Sequence, residues 1–230
     1  MTDNASALQL VLSGDRELFA IVRLSLEVSL SAVLFATLVG LPAGAFLALV
    51  RFAGREVVVV ILNALMGLPP VVLGLVIFLL LSRSGPLGAL GLLFTPQAMV
   101  IAQTLLVAPI IAALARQTIE DLWVEYRAEL AAMHVGPLRR IATLIWDARF
   151  SLVTALLAGW GRAAAEVGAI IIVGGNIQGF TRTMTTAIAL ETSKGDLPLA
   201  VGLGMILMAI VILINALAWL ARRAGERYAG

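Results

Sequence analysis

Long apolar stretches alternate with short polar ones along this chain of 230 residues. Five of these stretches approach or exceed the length of about 20 apolar residues that a helix needs to cross a bilayer. They cover roughly 18–50, 57–81, 97–115, 150–173 and 199–220. The pattern predicts an all-α fold: a polytopic membrane helix bundle with five transmembrane helices, formed by residues 1–230 as a single domain.

The second and third apolar stretches contain residues that interrupt a helix or bring polar groups into it. Two prolines after Gly67 remove backbone donors and break the helix. Lipid cannot satisfy the freed carbonyls, so the break should face protein or a water-filled path. We predict a path lined at this break and by nearby polar side chains, with simple packing and interhelical hydrogen bonding as the alternative. The candidate path residues are Asn63, Gly67, Pro69, Pro70, Gln103 and Thr104.

The fourth apolar stretch contains two charges. Arg162 lies ~18 Å into it at a rise of ~1.5 Å per residue, and Glu166 follows one turn later. Intramembrane charges are costly and usually mark a function or an internal pair. The i, i+4 spacing favours a buried ion pair, with contact to a permeating ion as the alternative. Small residues over 159–168 allow close helix approach, so we expect this helix beside a second copy of the chain.

A charged island, residues 125–149, lies between the third and fourth stretches, within a predicted cytoplasmic coupling loop over 117–149. Arginines alternate in it with glutamates and an aspartate, and alanines and leucines favour helix. Gly136 and Pro137 then stop the helix. We predict a short helix that projects from the membrane face and a second helical piece that returns to it, which together suit the docking of a partner.

Composition supports a membrane protein and excludes several kinds of chemistry. The chain is 61% hydrophobic and 13% charged, against ~45–50% and ~25% for soluble domains. Its net charge of +2 indicates no nucleic-acid surface. With no cysteine and one histidine, a Cys/His metal site and a thiol nucleophile are excluded. No Gly-Lys pair occurs, so a phosphate loop is absent. We expect no catalytic residue, metal or bound cofactor, and active transport would require a separate ATPase.

The basic residues predict the orientation of the chain in the membrane. With five spans, ten arginines fall on the face that carries the charged island, and four arginines and one lysine fall on the other. The positive-inside rule places the ten in the cytoplasm. We therefore predict a multi-pass protein of the cell (inner) membrane with its N-terminus outside and its C-terminus in the cytoplasm.

Several motifs resemble those of ABC-importer permeases. The run Leu130-Ala131-Ala132, followed by Gly136, resembles the EAA loop of that family. The family's glutamate position holds Leu130, with Glu129 one residue early, and Ala148-Arg149 stands where Leu-Pro is expected. The whole chain is most similar to tungstate permeases, with molybdate permeases next. The segments that carry this similarity lie at 66–70, 82–88, 92–96, 161–168, 173–177 and 190–195.

This resemblance implies a type I ABC-importer permease fold and a function in oxyanion uptake. The implied substrate is tungstate, with molybdate or sulfate as alternatives, delivered by an extracytoplasmic substrate-binding protein. The chain would form a homodimer in membrane lipid and dock two ABC ATPase subunits, which use ATP and Mg²⁺. It would be a transport subunit and not itself an enzyme. The implied ATPase-coupling residues are Glu129, Leu130, Ala131, Ala132, Gly136 and Arg139.

Two other classes of protein are alternatives. A self-sufficient carrier or channel is expected to contain internal repeats or several intramembrane charges, and no repeat is visible in the sequence. A membrane scaffold without a transport role would not need a broken second span or an ordered charged loop.

Overall fold

In the computed structural model, which describes residues 16–229, the regular structure is helical. Nine α-helices and one short 3₁₀ turn (Gly88–Leu90) are found in this part of the chain, without a β-strand, which confirms the predicted all-α fold class. The α-helices are α1 (Arg16–Leu49), α2 (Arg55–Met66), α3 (Pro70–Leu81), α4 (Pro96–Ala132), α5 (Pro137–Asp147), α6 (Arg149–Ala164), α7 (Gly168–Gly174), α8 (Met184–Lys194) and α9 (Leu197–Ala229).

Three helices of the described part are long and apolar enough to cross a membrane: α1, α4 and the Leu197–Leu220 part of α9. Two bent pairs raise the number to five if each pair counts as one span. One pair is α2 with α3, and the other is Arg139–Asp147 with α6. The helices can therefore account for five crossings, two of them made by broken helices.

The first of two compact units comprises residues 16–31, 69–103 and 164–229 of the described chain. Within it α3 packs closely on α7, because a Cβ added to Gly74 would lie 2.8 Å from the Cα of Ala169. Such close backbone approach is typical of membrane helices with small residues at the contact. A second core joins the start of α1 to α8 and α9, and its buried members are Leu18, Met184, Ala187 and Leu203.

The second unit comprises residues 32–68 and 104–163. Here the later part of α1 packs on α4, and a Cβ at Gly40 would lie 2.8 Å from the carbonyl oxygen of Ala108. Towards the charged end of the unit, α1, α4, α5 and α6 share one apolar core. Its buried members are Ala45, Ala48, Ala115, Ile119, Leu130, Leu144, Ala148 and Leu152.

Two helix boundaries differ from the prediction. The third span was expected to end near residue 115, but α4 continues to Ala132, because no glycine or proline interrupts residues 110–132. The fourth span was expected to be one helix over 150–173, but α6 ends at Ala164 and α7 begins at Gly168. The charged island is thus the end of a long helix, a turn and α5.

Candidate coupling segment and membrane path

The coupling segment, residues 129–139, is a tight turn between α4 and α5. The amide of Val135 donates to the carbonyl of Leu130 (3.2 Å), which closes the end of α4. Gly136 then has an extended backbone, with φ −67° and ψ 158°, and Pro137 begins α5. Proline is well suited to that position, where its missing amide hydrogen has no helical partner to lose.

Most of the residues predicted to dock an ATPase lie at the surface of the described chain. The exposed ones are Glu129, Ala131, Ala132, Gly136 and Arg139. Leu130 differs, since it is only 4% exposed and belongs to the apolar core that includes Ile119 and Leu144. A glutamate at this position would be buried among apolar side chains. Leu130 therefore anchors the turn, and its neighbours form the outer surface.

The helix α5 is amphipathic and lies across the start of α6. Leu144 and Ala148 point into the core, whereas Trp146 is 65% exposed. The Arg139–Asp147 part of α5 and α6 meet at 72°. At the bend, the guanidinium of Arg149 lies 4.7 Å from the ring centre of Trp146 and 4.6 Å from that of Phe150. Such cation–π contacts hold the junction of the two helices.

A charge cluster centred on Glu120 stabilises the same end of the second unit. Arg55 is 5% exposed; its Nη2 donates to Glu120 Oε1 (2.9 Å), and its Nε donates to the carbonyl of Leu47 (2.7 Å). Arg116 also donates to Glu120, and Arg51 Nη2 lies 3.7 Å from Glu120 Oε1. The cluster therefore ties the end of α1 and the start of α2 to the long helix α4.

Sequence reasoning missed this cluster. The only local signal is the i, i+4 spacing of Arg116 and Glu120, which favours a helical ion pair. Arg55 is 65 positions away from Glu120, and spacing alone cannot predict such a contact. The short polar stretch between the first two apolar stretches gives no sign in the sequence that Arg55 is buried.

The candidate path residues of the second unit differ in burial. Asn63 is exposed on α2, and Gly67 is the exposed residue at which that helix ends. Thr104 is half-buried, and its hydroxyl donates to the carbonyl of Ala32 at 3.4 Å. Thr104 thus takes part in an interhelical contact, whereas Asn63 is available to a ligand or to another chain.

The remaining path candidates lie in the first unit. Pro69 is extended and exposed, and Pro70 is the first residue of α3. The break expected in the second stretch is therefore present, and the two prolines begin a new helix. Gln103 is only 2% exposed. That these residues line a transport path stays a prediction.

The intramembrane charges lie on either side of a helix end. Arg162 is in the last turn of α6 and half-buried, and Glu166 follows that helix. Glu166 is buried, and its Oε1 accepts a hydrogen bond from the amide of Ala169 (3.1 Å). The i, i+4 argument for their pairing assumed a continuous helix and is no longer valid. The pairing itself stays a prediction.

The small residues of the fourth stretch lie on two faces of α6, one buried and one exposed. Gly159 and Ala163 are buried, and a Cβ at Gly159 would lie 2.8 Å from Cγ1 of Val107. These residues therefore pack inside the unit. A different stripe, spaced by three and four residues, remains exposed or half-exposed: Ser151, Thr154, Ala158 and Gly161.

Comparison of the sequence with those of known proteins identifies the family of this chain. A scan against models of protein families finds no match. The chain is 43% identical over 206 residues to a probable anion ABC transporter permease protein of Haloferax volcanii, covering 87% of this chain and 88% of that protein. It is 39% identical to the tungstate uptake system permease protein TupB of Peptoclostridium acidaminophilum, over 92% of each chain. It is 35% identical to TupB of Campylobacter jejuni, covering 91% and 87% of the two chains.

The chain therefore belongs to the family of ABC transporter permeases, as its motifs predicted. These relatives and the apolar helices identify it as a multi-pass membrane protein and a transport subunit. Permeases of this family act with an ATPase subunit and a substrate-binding protein.

Proposed function

We propose that this chain is the permease subunit of an ATP-driven importer that takes up tungstate. The observation that carries the proposal is the identity of 39% and 35% to two tungstate-uptake permeases over about nine tenths of the chain. Tungstate is delivered by an external binding protein, and the permease opens alternately to the two sides of the membrane. ATP and Mg²⁺ are bound by the separate ATPase.

The exposed coupling segment supports the proposed contact with the ATPase. Its turn presents Glu129 and Arg139 outward while Leu130 holds it to the core. The Glu120 cluster lies in the same unit and fixes α4, the helix that leads into the segment. A push on the segment would therefore be transmitted through α4 and would not be absorbed by a flexible loop.

The orientation of the chain follows from its charges. The coupling segment must face the cytoplasm to meet an ATPase, and the positive-inside rule assigns it to the same side. The N-terminus is then outside and the C-terminus is in the cytoplasm.

A homodimer with two ATPase copies is part of the proposal. Gly159 and Ala163 are used inside the subunit, so they cannot form the contact between copies. The exposed stripe that includes Ala158 and Gly161 is the better candidate, because small residues at this spacing let two helices approach closely. One copy of the chain has few spans with which to enclose a path.

Uptake measured in cells that lack tungstate import tests the function. The permease, its ATPase and its binding protein are expressed together, and accumulation of radiolabelled tungstate is followed with and without excess molybdate or sulfate. We expect ATP-dependent uptake of the labelled tungstate. Unlabelled tungstate should inhibit this uptake more strongly than molybdate or sulfate does. Stronger competition by molybdate or sulfate would reassign the substrate, and uptake by vesicles that contain the permease alone would indicate a self-sufficient carrier.

A further inference from the structure

The arginine in the loop between α7 and α8 has a buried donor atom. Within residues 16–229, the Nε of Arg182 is buried and has no hydrogen-bond partner. Buried polar atoms nearly always have a partner, so a donor of this kind requires an explanation. The mechanism proposed above makes no use of this residue.

Arg182 lines two cavities of the first unit. One has a volume of about 210 Å³ and the other about 220 Å³, and Glu17 and Ile21 also line both. Because a water molecule takes about 30 Å³ in the liquid, each cavity has room for a tetrahedral oxyanion with some of its hydration water. The guanidinium is thus placed beside space that a small anion can enter.

The backbone on both sides of Arg182 is fixed by buried threonines. The Oγ1 of Thr181 donates to the carbonyl of Gly174 (2.5 Å) and accepts from the amide of Ile177 (2.9 Å). Thr183 forms a capping box at the start of α8. A donor whose backbone is already ordered loses less conformational entropy on binding a ligand. The position of Arg182 is therefore preorganised.

Two carboxylates around the cavities form ion pairs with neighbouring cations. Lys194 Nζ is 2.9 Å from Glu191 Oε1, beside the first cavity. Arg23 Nε is 2.6 Å from Glu27 Oε1, beside the second. These pairs neutralise two of the carboxylates that would repel an anion.

Glu17 is the carboxylate that shares both cavities with Arg182. It accepts a hydrogen bond from Nε2 of Gln178 (2.5 Å). Its negative charge opposes the binding of an oxyanion and therefore weakens any such site. A transport path requires weak sites, because a substrate that binds tightly cannot leave.

We propose that Arg182 binds the transported oxyanion transiently on the outer side of the permease, with Glu17 limiting its affinity. This inference rests on the proposed function and adds a contact residue and a counter-charge to it. A guanidinium presents planar donors that match the oxygens of a tetrahedral oxyanion. The five-span topology predicted from the sequence puts the loop that carries Arg182 outside the membrane, which is where substrate would enter.

Equilibrium dialysis of the purified permease–ATPase complex with radiolabelled tungstate, without the binding protein, tests the site. We expect Arg182→Gln to lower tungstate affinity about tenfold or more, as expected for the loss of a charge-assisted hydrogen bond. Glu17→Gln should raise the affinity, since it removes the competing charge. Arg83→Gln, which removes an exposed arginine of the same unit outside both cavities, is the matched control and should leave affinity unchanged.

The two variants are expected to change tungstate affinity in opposite directions, and this separates a binding role from loss of structure. Unfolding caused by either change would reduce binding, so an increase with Glu17→Gln cannot come from damage. The proposal is overturned if the wild-type complex shows no saturable binding, if Arg182→Gln binds as the wild type does, or if Glu17→Gln fails to raise the affinity. Tungstate uptake by cells with the complete wild-type importer is measured in parallel, and only its absence counts against the proposed function.

Discussion

Glu120 shows how a single residue links distant parts of this membrane protein. Its carboxylate meets arginines from the α1–α2 turn, from α2 and from its own helix. The side chain of Arg55 is 6% exposed and that of Glu120 is 24% exposed, so solvent screens their attraction only in part. Breaking such a pair from one side leaves a charge that is poorly solvated.

We expect Glu120→Gln to destabilise the protein by about 1–3 kcal/mol. The change gives Nη2 of the buried Arg55 a neutral partner in place of a charged one, and hydrogen bonds to charged groups contribute about this much. Arg55 keeps its bond to the carbonyl of Leu47, which limits the loss. Thermal unfolding of the purified protein in detergent measures the effect.

The matched control for this prediction is Glu56→Gln. Glu56 also bonds Arg55, at 2.8 Å, but its side chain is 80% exposed, and exposed pairs contribute about 0–1 kcal/mol. Equal losses of stability in the two variants would show that burial of the Glu120 pair does not increase its contribution to the free energy of unfolding.

At the scale of residues, local contacts could be predicted and distant ones could not. The i, i+4 spacing of Arg23 and Glu27 favours an ion pair, and Arg23 Nε lies 2.6 Å from Glu27 Oε1. The contact of Arg55 with Glu120 depends on how α2 is placed against α4, and no local pattern of residues encodes that. Arg182 is a similar case, because the burial of its Nε depends on how the loop around it packs.

At the scale of elements, hydropathy identified the apolar stretches but placed some helix ends wrongly. Helix propensity continues from the third span into the charged island, so α4 runs to Ala132 without a stop signal. The end of α6 at Ala164 was also missed, since alanines and Glu166 favour helix. Tertiary contacts override that preference: the Glu166 side chain bonds the amide of Ala169 in α7, and its carbonyl accepts from Thr185 Oγ1 at 2.8 Å.

We expect Gly136→Leu to weaken ATPase docking while leaving the permease folded. An added Cβ at Gly136 has no atom of the described chain within 4 Å, and its backbone angles are allowed for leucine. A bulky side chain at a packed docking surface costs about 1–3 kcal/mol, or about 5- to 150-fold in affinity. Recovery of the ATPase with the tagged permease, and the stimulation of its activity, measure the change.

Gly204→Leu is the control for the coupling segment. A Cβ at Gly204 in α9 likewise meets no described atom within 4 Å, and the position lies outside the coupling segment. This variant should bind the ATPase as the wild type does. If both variants retain full recovery and stimulation, the coupling segment is not the docking surface.

At the scale of the whole molecule, we expect the distribution of charge to determine which side of the membrane each loop occupies. The native chain contains no cysteine, so single cysteines report on topology without interference. In intact cells, we expect Ser84→Cys to react with a membrane-impermeant thiol reagent and Met133→Cys to react only after the membrane is permeabilised. Both positions are exposed. The reverse pattern would place the coupling segment outside and exclude contact with a cytoplasmic ATPase.

The last prediction concerns the contact between two copies of the chain. The exposed stripe of small residues on α6 would let a second copy approach closely, whereas residues on the opposite face of the helix pack inside the unit. We expect Ala158→Cys and Gly161→Cys to form disulfide-linked dimers in membranes under mild oxidation. Ala155→Cys, a buried position on the same helix, is the control and should remain monomeric. Dimers at all three positions would indicate random collision, and the absence of dimers at Ala158 and Gly161 would exclude this stripe as the homodimer contact.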